Sequence, residues 1–311
     1  MTENTKRLRG LGTALVTPFE ASGAVDYKAL QALVERQIAG GVDYIVVLGT
    51  TGEAVTLSEE ERREVRQFIA RQVAGRVPLV LGAGGNCTQS VIAHIREVND
   101  ELRRDYAAIL SVCPYYNKPS QEGLYRHFSA IAEVSSVPII LYNVPGRTGV
   151  NMLPETALRL HEAYPDRIIG IKEASGKVEQ IKKLINEQFQ ISYPNGTIIS
   201  NFKFQNNKFL IISGDDGIAC ELMEAGADGL ISVASNAWPE DFGRIVREKD
   251  ATLQAKYSEM IELLFKEGNP SGVKTVLSQM GLIGNHLRLP LVPNSEAVQR
   301  EIARAIEALQ Q

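Results

Sequence analysis

The sequence predicts an α/β fold, a (β/α)8 TIM barrel with a C-terminal helical extension. Three observations predict it. Eight apolar, strand-like runs recur along the 311 residues. Helical patterns follow the runs in strict alternation, which argues for parallel βαβ units. After Trp238 the pattern is helical to the end.

The runs are GTALVTPF (12–19), YIVVLGT (44–50), PLVLGAG (78–84) and AAILSVCP (107–114). They continue as PIILYNVP (138–145), IIGIKEA (168–174), FLIISGDD (209–216) and GLISVAS (229–235). They are near-continuous rather than alternating, as in strands covered on both faces. Eight such units suit a closed barrel better than an open doubly wound sheet. Between the first two runs, DYKALQALVERQIAGG places Leu30, Leu33, Val34 and Ile38 at helical spacing. SEEERREVRQFIARQVAG opens with a Ser58-x-x-Glu61 capping box. NCTQSVIAHIREVNDEL is helical in the same sense. One link is abnormal: about 188–208 joins the sixth helix to the seventh strand, longer than the usual 2–6 residues. Its Asn195-Gly196 is a strong hairpin dipeptide, so a β-hairpin excursion is expected on the barrel face away from the chemistry. DFGRIVREK, LQAKYSEMIELLFKE, SGVKTVLSQMG and SEAVQREIARAIEALQ form the helical extension. The expected domains are therefore 1–235, a barrel with the insertion, and 236–311, helical.

Composition narrows the function. The net charge of −4 offers no basic face for nucleic acid. The N-terminus MTENTKRLRG lacks the apolar core of a signal peptide, and no apolar run approaches the length of a membrane span. Cys87, Cys113 and Cys220 lie far apart, as free thiols do in a reducing compartment. The expectation is a cytoplasmic protein. The sequons at Asn86 and Asn195 then read as chance matches.

Active-site groups of such barrels project from the C-terminal strand ends. Those ends carry Thr17, Gly49-Thr50-Thr51-Gly52-Glu53, Gly84, Asn86, Tyr115, Tyr116, Tyr142, Asn143, Arg147, Lys172, Gly214-Asp215-Asp216 and Ser232. The set has one lysine and no histidine. Burial disfavours a charged amine, and a neutral amine can attack a carbonyl to form a Schiff base. Lys172 is the candidate nucleophile; the plainer reading is an ion pair with Glu173 or another acid. Gly49–Gly52 is a tight turn whose N–H groups could bind a small carboxylate. The Tyr142 phenol could relay protons, or pack the rim. Arg147, after Pro145-Gly146, suits bidentate carboxylate recognition. A pair such as Asp215-Asp216 more often caps a helix than binds metal. His94, His127, His161 and His286 lack ligand spacing and read as surface or packing residues. Walker A, dinucleotide-fingerprint and G-x-S-x-G patterns are absent.

Taken together, GTTGE (49–53), PYYNKPSQEGLY (114–125), YNVPGRTG (142–149), GIKEASG (170–176) and IISGDD (211–216) carry a resemblance over nearly the whole chain. They resemble the dihydrodipicolinate synthase/N-acetylneuraminate lyase family of pyruvate-dependent class I aldolases. The arginine of NVPGRT resembles the synthase branch. The resemblance implies that Lys172 forms a Schiff base with pyruvate. Tyr142 would be the proton shuttle, linked through Thr50 to Tyr116, which enters from a neighbouring subunit. Thr50 and Thr51 would bind the pyruvate carboxylate by backbone N–H groups, and Arg147 that of aspartate-4-semialdehyde. Gly214 and Ile231 would line the pyruvate pocket. It implies no cofactor, no metal, a homodimer or homotetramer, and a place at the entry to the lysine branch of diaminopimelate synthesis. Sister readings are a lyase of sialic acid or a 2-keto-3-deoxy sugar acid, and a catalytically silent pyruvate-binding barrel. Two departures stand out. The 188–208 segment is long for the family. Asn86 and Tyr115 match the family's lysine-feedback site, but Ser90 and Arg62 stand where sensitive members carry a glutamate and a histidine. Weak or absent lysine inhibition is expected.

Overall fold

The computed structural model describes residues 7–187, 190–192, 198–200 and 209–310. Eight strands close into a barrel in the order β1-β2-β3-β4-β5-β6-β9-β10. They are β1 (Gly10–Ala14), β2 (Tyr44–Val47), β3 (Leu79–Gly82), β4 (Ala108–Val112), β5 (Ile139–Asn143), β6 (Ile168–Glu173), β9 (Leu210–Ser213) and β10 (Gly229–Ser232). Each falls within or next to one of the eight apolar runs. In the long link, β7 (Gln190–Ser192) pairs antiparallel with β8 (Ile198–Ser200), Gln190 opposite Ser200. Asn195-Gly196 lies outside the described residues.

The chain packs as two compact units. One comprises Met1–Arg9 with Ala83–Leu230, the other Gly10–Gly82 with Ile231–Gln311.

In the first unit, β4, β5, β6 and β9 pair in parallel register. Their side chains are buried apart from half-buried Val112. Burial of Ile and Leu side chains of this kind contributes about 1.5–3 kcal/mol each. Helices α3 (Thr88–Asp105), α4 (Gln121–Val134), α6 (Pro154–Ala163), α7 (Val178–Glu187) and α8 (Ala219–Ala225) connect these strands, with α5 (Pro145–Thr148) a single turn after β5. The α3 stripe of Val91, Ile92, Ile95, Val98 and Leu102 is buried at helical spacing. His161 on α6 is buried and its Nδ1 lies 2.6 Å from the Ile168 carbonyl, fixing the start of β6.

In the second unit, β1 pairs with β2 and β2 with β3. Helix α1 (Tyr27–Ala39) begins where Asp26 accepts from the Ala29 N–H at 2.9 Å, and α2 (Glu59–Val73) begins with the full Ser58–Glu61 capping box. Buried polar side chains join β1 to the turn after β10: Thr13 donates to Gln37 (2.7 Å), Gln37 to the Asn236 carbonyl (3.1 Å), and Asn236 to the Ala14 carbonyl (2.8 Å). Five helices follow: α9 (Pro239–Glu248), α10 (Ala251–Lys256), α11 (Ser258–Phe265), α12 (Ser271–Gln279) and α13 (Glu296–Leu309). No helix among the described residues is long and apolar enough to cross a membrane.

Candidate active site

β5 and β6 bring two of the candidate residues together. Tyr142 pairs in register with Lys172, and Asn143 with Glu173. Side chains alternate along a strand, so Tyr142 and Lys172 share one face, and Asn143 and Glu173 the other. The Lys172 Nζ lies 4.5 Å from the Tyr142 ring centroid, a cation–π distance when the amine is charged. Both side chains are buried, 6% and 7% exposed. Gly214 packs beside them: a Cβ there would stand 2.8 Å from the Lys172 Cε and 2.6 Å from the Ala174 Cβ. Only glycine leaves the lysine stem its place.

The sequence left open whether Lys172 pairs with Glu173. It does not. The Glu173 carboxylate accepts from Asn143 Nδ2 (2.8 Å), Gln180 Nε2 (3.0 Å) and the Ser175 N–H (2.8 Å). Asn143 is itself fixed, accepting from the Met152 N–H at 2.9 Å and donating to Asn151 at 2.8 Å. Burial pushes the Glu173 carboxyl up, against the pull of Asn143, Ser175 and Gln180. Among the described residues Lys172 forms no ion pair. Asn143 was among the strand-end candidates of the sequence, without this partner; Gln180 was missed.

Arg147 sits on the α5 turn, exposed. Tyr116 is not part of the Lys172–Tyr142 cluster: its side chain is 89% exposed, with φ +74°. Its N–H donates to the Thr148 carbonyl at 3.2 Å, and Asn117 anchors the loop by donating to the Asn86 carbonyl at 2.9 Å.

The remaining candidates belong to the second unit. Thr50 and Thr51 follow β2 in the Gly49–Glu53 turn, Thr50 exposed and Thr51 buried. Ile231 is buried within β10. The turn is tied on several sides. Thr17 donates to the Gly52 carbonyl at 2.7 Å, and Asn269 Nδ2 to Thr51 Oγ1 at 3.0 Å. Glu53 has φ +52° and a buried carboxylate that forms an ion pair with Lys274 of α12. Neither side chain of the pair is exposed. Lys274 also donates to the His286 carbonyl at 3.1 Å and lies 4.0 Å from the Phe19 ring centroid. Burial brings its ammonium down to about 8, with Glu53 opposing that shift. Above the turn, Arg288 donates to Glu61 with both outer nitrogens (2.7 and 2.6 Å) and draws the Glu61 carboxyl down to about 2. Lys274 and Asn269 were missed in the sequence. The available signal was a lysine set among the apolar positions of SGVKTVLSQMG.

Asp215 caps the turn after β9, accepting from the Gly217 N–H at 2.9 Å, as expected of that pair. His127 is buried against Thr88 (2.9 Å), and burial lowers its ring to about 4. No group of three His, Cys, Asp or Glu side chains among the described residues is placed to hold a metal.

Residues 7–309 match the model of the dihydrodipicolinate synthetase family. A 4-hydroxy-tetrahydrodipicolinate synthase of Parabacteroides distasonis is 46% identical over 97% of each chain. That of Porphyromonas gingivalis is 45% identical over 98% of each. Among solved structures, the dihydrodipicolinate synthase of Thermotoga maritima superposes with a TM-score of 0.87 at 37% identity, covering 97% of this chain and 98% of the other. The Acinetobacter baumannii enzyme, solved in complex with pyruvate, gives 0.87 at 42% identity, covering 97% and 99%.

Proposed function

Because this chain belongs to the dihydrodipicolinate synthetase family, we propose that it is a class I, Schiff-base-forming lyase that condenses pyruvate with L-aspartate-4-semialdehyde, the reaction of a 4-hydroxy-tetrahydrodipicolinate synthase. The observation that carries the reading is a buried Lys172 beside Tyr142, with the neighbouring Glu173 carboxylate already engaged by Asn143, Gln180 and Ser175.

The neutral Lys172 amine adds to the pyruvate C2 carbonyl. Loss of water gives an imine, whose protonated form acts as an electron sink. A proton leaves the methyl carbon and the resulting enamine attacks the aldehyde carbon of the second substrate. The amine of that substrate then closes on the former carbonyl carbon and releases Lys172. Nothing in this sequence calls for a cofactor. Tyr142 carries protons to and from the imine carbon chemistry, with Thr50 linking it to a Tyr116 supplied by a second copy of the chain. The exposure of Tyr116 supports that role, because the side chain is free to reach outward. A homodimer or homotetramer follows from it. One solved relative, 37% identical with a TM-score of 0.88, is described as a monomeric dihydrodipicolinate synthase variant. Thr50 and Thr51 N–H groups receive the pyruvate carboxylate, Gly214 and Ile231 line its pocket, and Arg147 receives the carboxylate of the aldehyde. The compartment is the cytoplasm. Lysine inhibits weakly or not at all: Arg62 is occupied by Glu59 (2.7 Å) and the Ala54 and Leu57 carbonyls (3.3 Å each), and Ser90 carries no charge.

Borohydride trapping with pyruvate, followed by peptide mass analysis, tests the reading. A reduced pyruvyl adduct on Lys172 is expected, absent from Lys172→Ala. Arg147→Ala is expected to keep the adduct and lose turnover with aspartate semialdehyde. A folded protein with no adduct would bring forward the silent-barrel reading.

A further inference from the structure

The Gly49–Glu53 turn is held in a shape that its own sequence disfavours. Leu48 and Glu53 bracket it, and both have left-handed backbones, φ +55° and +52°. L-residues other than glycine, asparagine and aspartate rarely adopt that conformation. A Cβ on Gly52 would meet the Leu15 carbonyl at 3.1 Å. Such a turn persists only where its surroundings over-determine it. The surroundings here are a fully buried ion pair, Glu53–Lys274, and a buried amide, Asn269, aimed at the Thr51 hydroxyl. The Arg288 N–H adds a longer contact to Glu53 at 3.4 Å, and Thr56 Oγ1 donates to the Glu53 carbonyl at 3.0 Å. A buried ion pair is a poor source of stability compared with apolar residues of the same volume. What this pair supplies is direction: it pulls the Glu53 side chain down onto α12, and the left-handed backbone follows.

We propose that Lys274, acting through Glu53 and seconded by Asn269, is a positioning residue that keeps the Gly49–Glu53 turn in the conformation whose N–H groups receive the pyruvate carboxylate. The inference rests on the function proposed above, in particular on pyruvate binding at Thr50 and Thr51. It assigns to α12 and the loop before it a part in substrate affinity, exerted through the turn they hold. Asn269 closes the arrangement from the loop before α12. Its donated hydrogen occupies the Thr51 oxygen and fixes that side chain's rotamer, and with it the orientation of the residue within the turn.

Two variants test it. Asn269→Ala removes the bond to the Thr51 hydroxyl and leaves both charges paired. The double variant Glu53→Gln with Lys274→Met removes both charges at similar volume, which avoids leaving one ion buried alone. Pyruvate concentration for half-maximal borohydride trapping on Lys172 is read together with steady-state KM for each substrate and kcat. The expected result is a rise of roughly tenfold in half-saturating pyruvate for the double variant and a few-fold for Asn269→Ala. The KM for aspartate semialdehyde, and kcat at saturating pyruvate, stay within about twofold. Half-saturating pyruvate within twofold of wild type in both folded variants would overturn the inference. So would equal losses in all three parameters, the pattern of a general structural defect. If wild type itself traps no pyruvate, the proposed function falls and takes this inference with it. Wild-type trapping with unshifted variants removes the inference alone.

Discussion

Glu53 and Glu173 are both buried, 1% and 0% exposed, and each stands at or just beyond the C-terminal end of a barrel strand. They are satisfied in opposite ways. Glu53 meets an ammonium, that of Lys274. Glu173 meets neutral donors only, two side-chain amides and a backbone N–H. Each solution suits its neighbourhood. At Glu53 a charge pair fixes a turn, and the same cation also holds the His286 carbonyl. At Glu173 the adjacent residue is Lys172, yet the carboxylate is taken up by Asn143, Gln180 and the Ser175 N–H instead. The site thus contains a lysine, an adjacent carboxylate and no bond between them, because strand alternation sends the two side chains to different faces.

The sharpest way to break the comparison is to remove one charge from each carboxylate. Glu53→Gln leaves the Lys274 ammonium buried without its counter-ion and should cost about 3–5 kcal/mol in urea unfolding. Adding Lys274→Met should restore most of it. If the single variant loses no more than the double, the pair is not the constraint described here. Glu173→Gln should cost less, about 1–3 kcal/mol, because it sets an amide against the Asn143 and Gln180 donors without stranding an ion. It should also change the pH profile. The folded Glu173 carboxyl lies above its ordinary value, so the native state binds more protons there than the unfolded chain. Wild-type stability relative to Glu173→Gln should therefore fall as pH rises from about 4.5 through the folded value. A difference that stays flat, or grows, across that range would contradict the assignment. The smallest effect belongs to Glu61, partly open to water. Its carboxyl is drawn down to about 2 by Arg288, so its contribution is complete above about 4.5 and is lost as pH falls towards 2. Discounted for solvent screening, it amounts to about 1 kcal/mol. Glu61→Gln should be that much less stable at neutral pH and should lack that part of the acid limb.

The strands were legible because a parallel barrel strand is covered on both faces and so reads as an unbroken apolar run. Their ends were less so. The run 12–19 suggests a longer first strand than Gly10–Ala14, since Leu15, Val16 and Phe19 are as buried as the paired residues. Burial and ladder pairing are separate conditions, and composition reports only the first. That Lys172 and Tyr142 stand at neighbouring strand ends was legible from their positions in the apolar runs. The bonds of Asn143 and Gln180 to Glu173 were not, because they depend on which residue β6 turns away from Lys172. Lys274 and Asn269 were hidden for another reason: their partners Glu53 and Thr51 lie near the other end of the chain, and no local pattern reports such a pair.

That separation has a consequence for biosynthesis. The segment Ala83–Leu230 is contiguous, whereas the unit holding the Gly49–Glu53 turn also needs Ile231–Gln311. At about 5–20 residues per second, a ribosome takes on the order of ten seconds to deliver that last stretch. Until then Glu53 has no counter-ion to close upon. Lys172 and Tyr142 leave the ribosome well before Lys274 does, so the bond that holds this turn is among the last that translation permits.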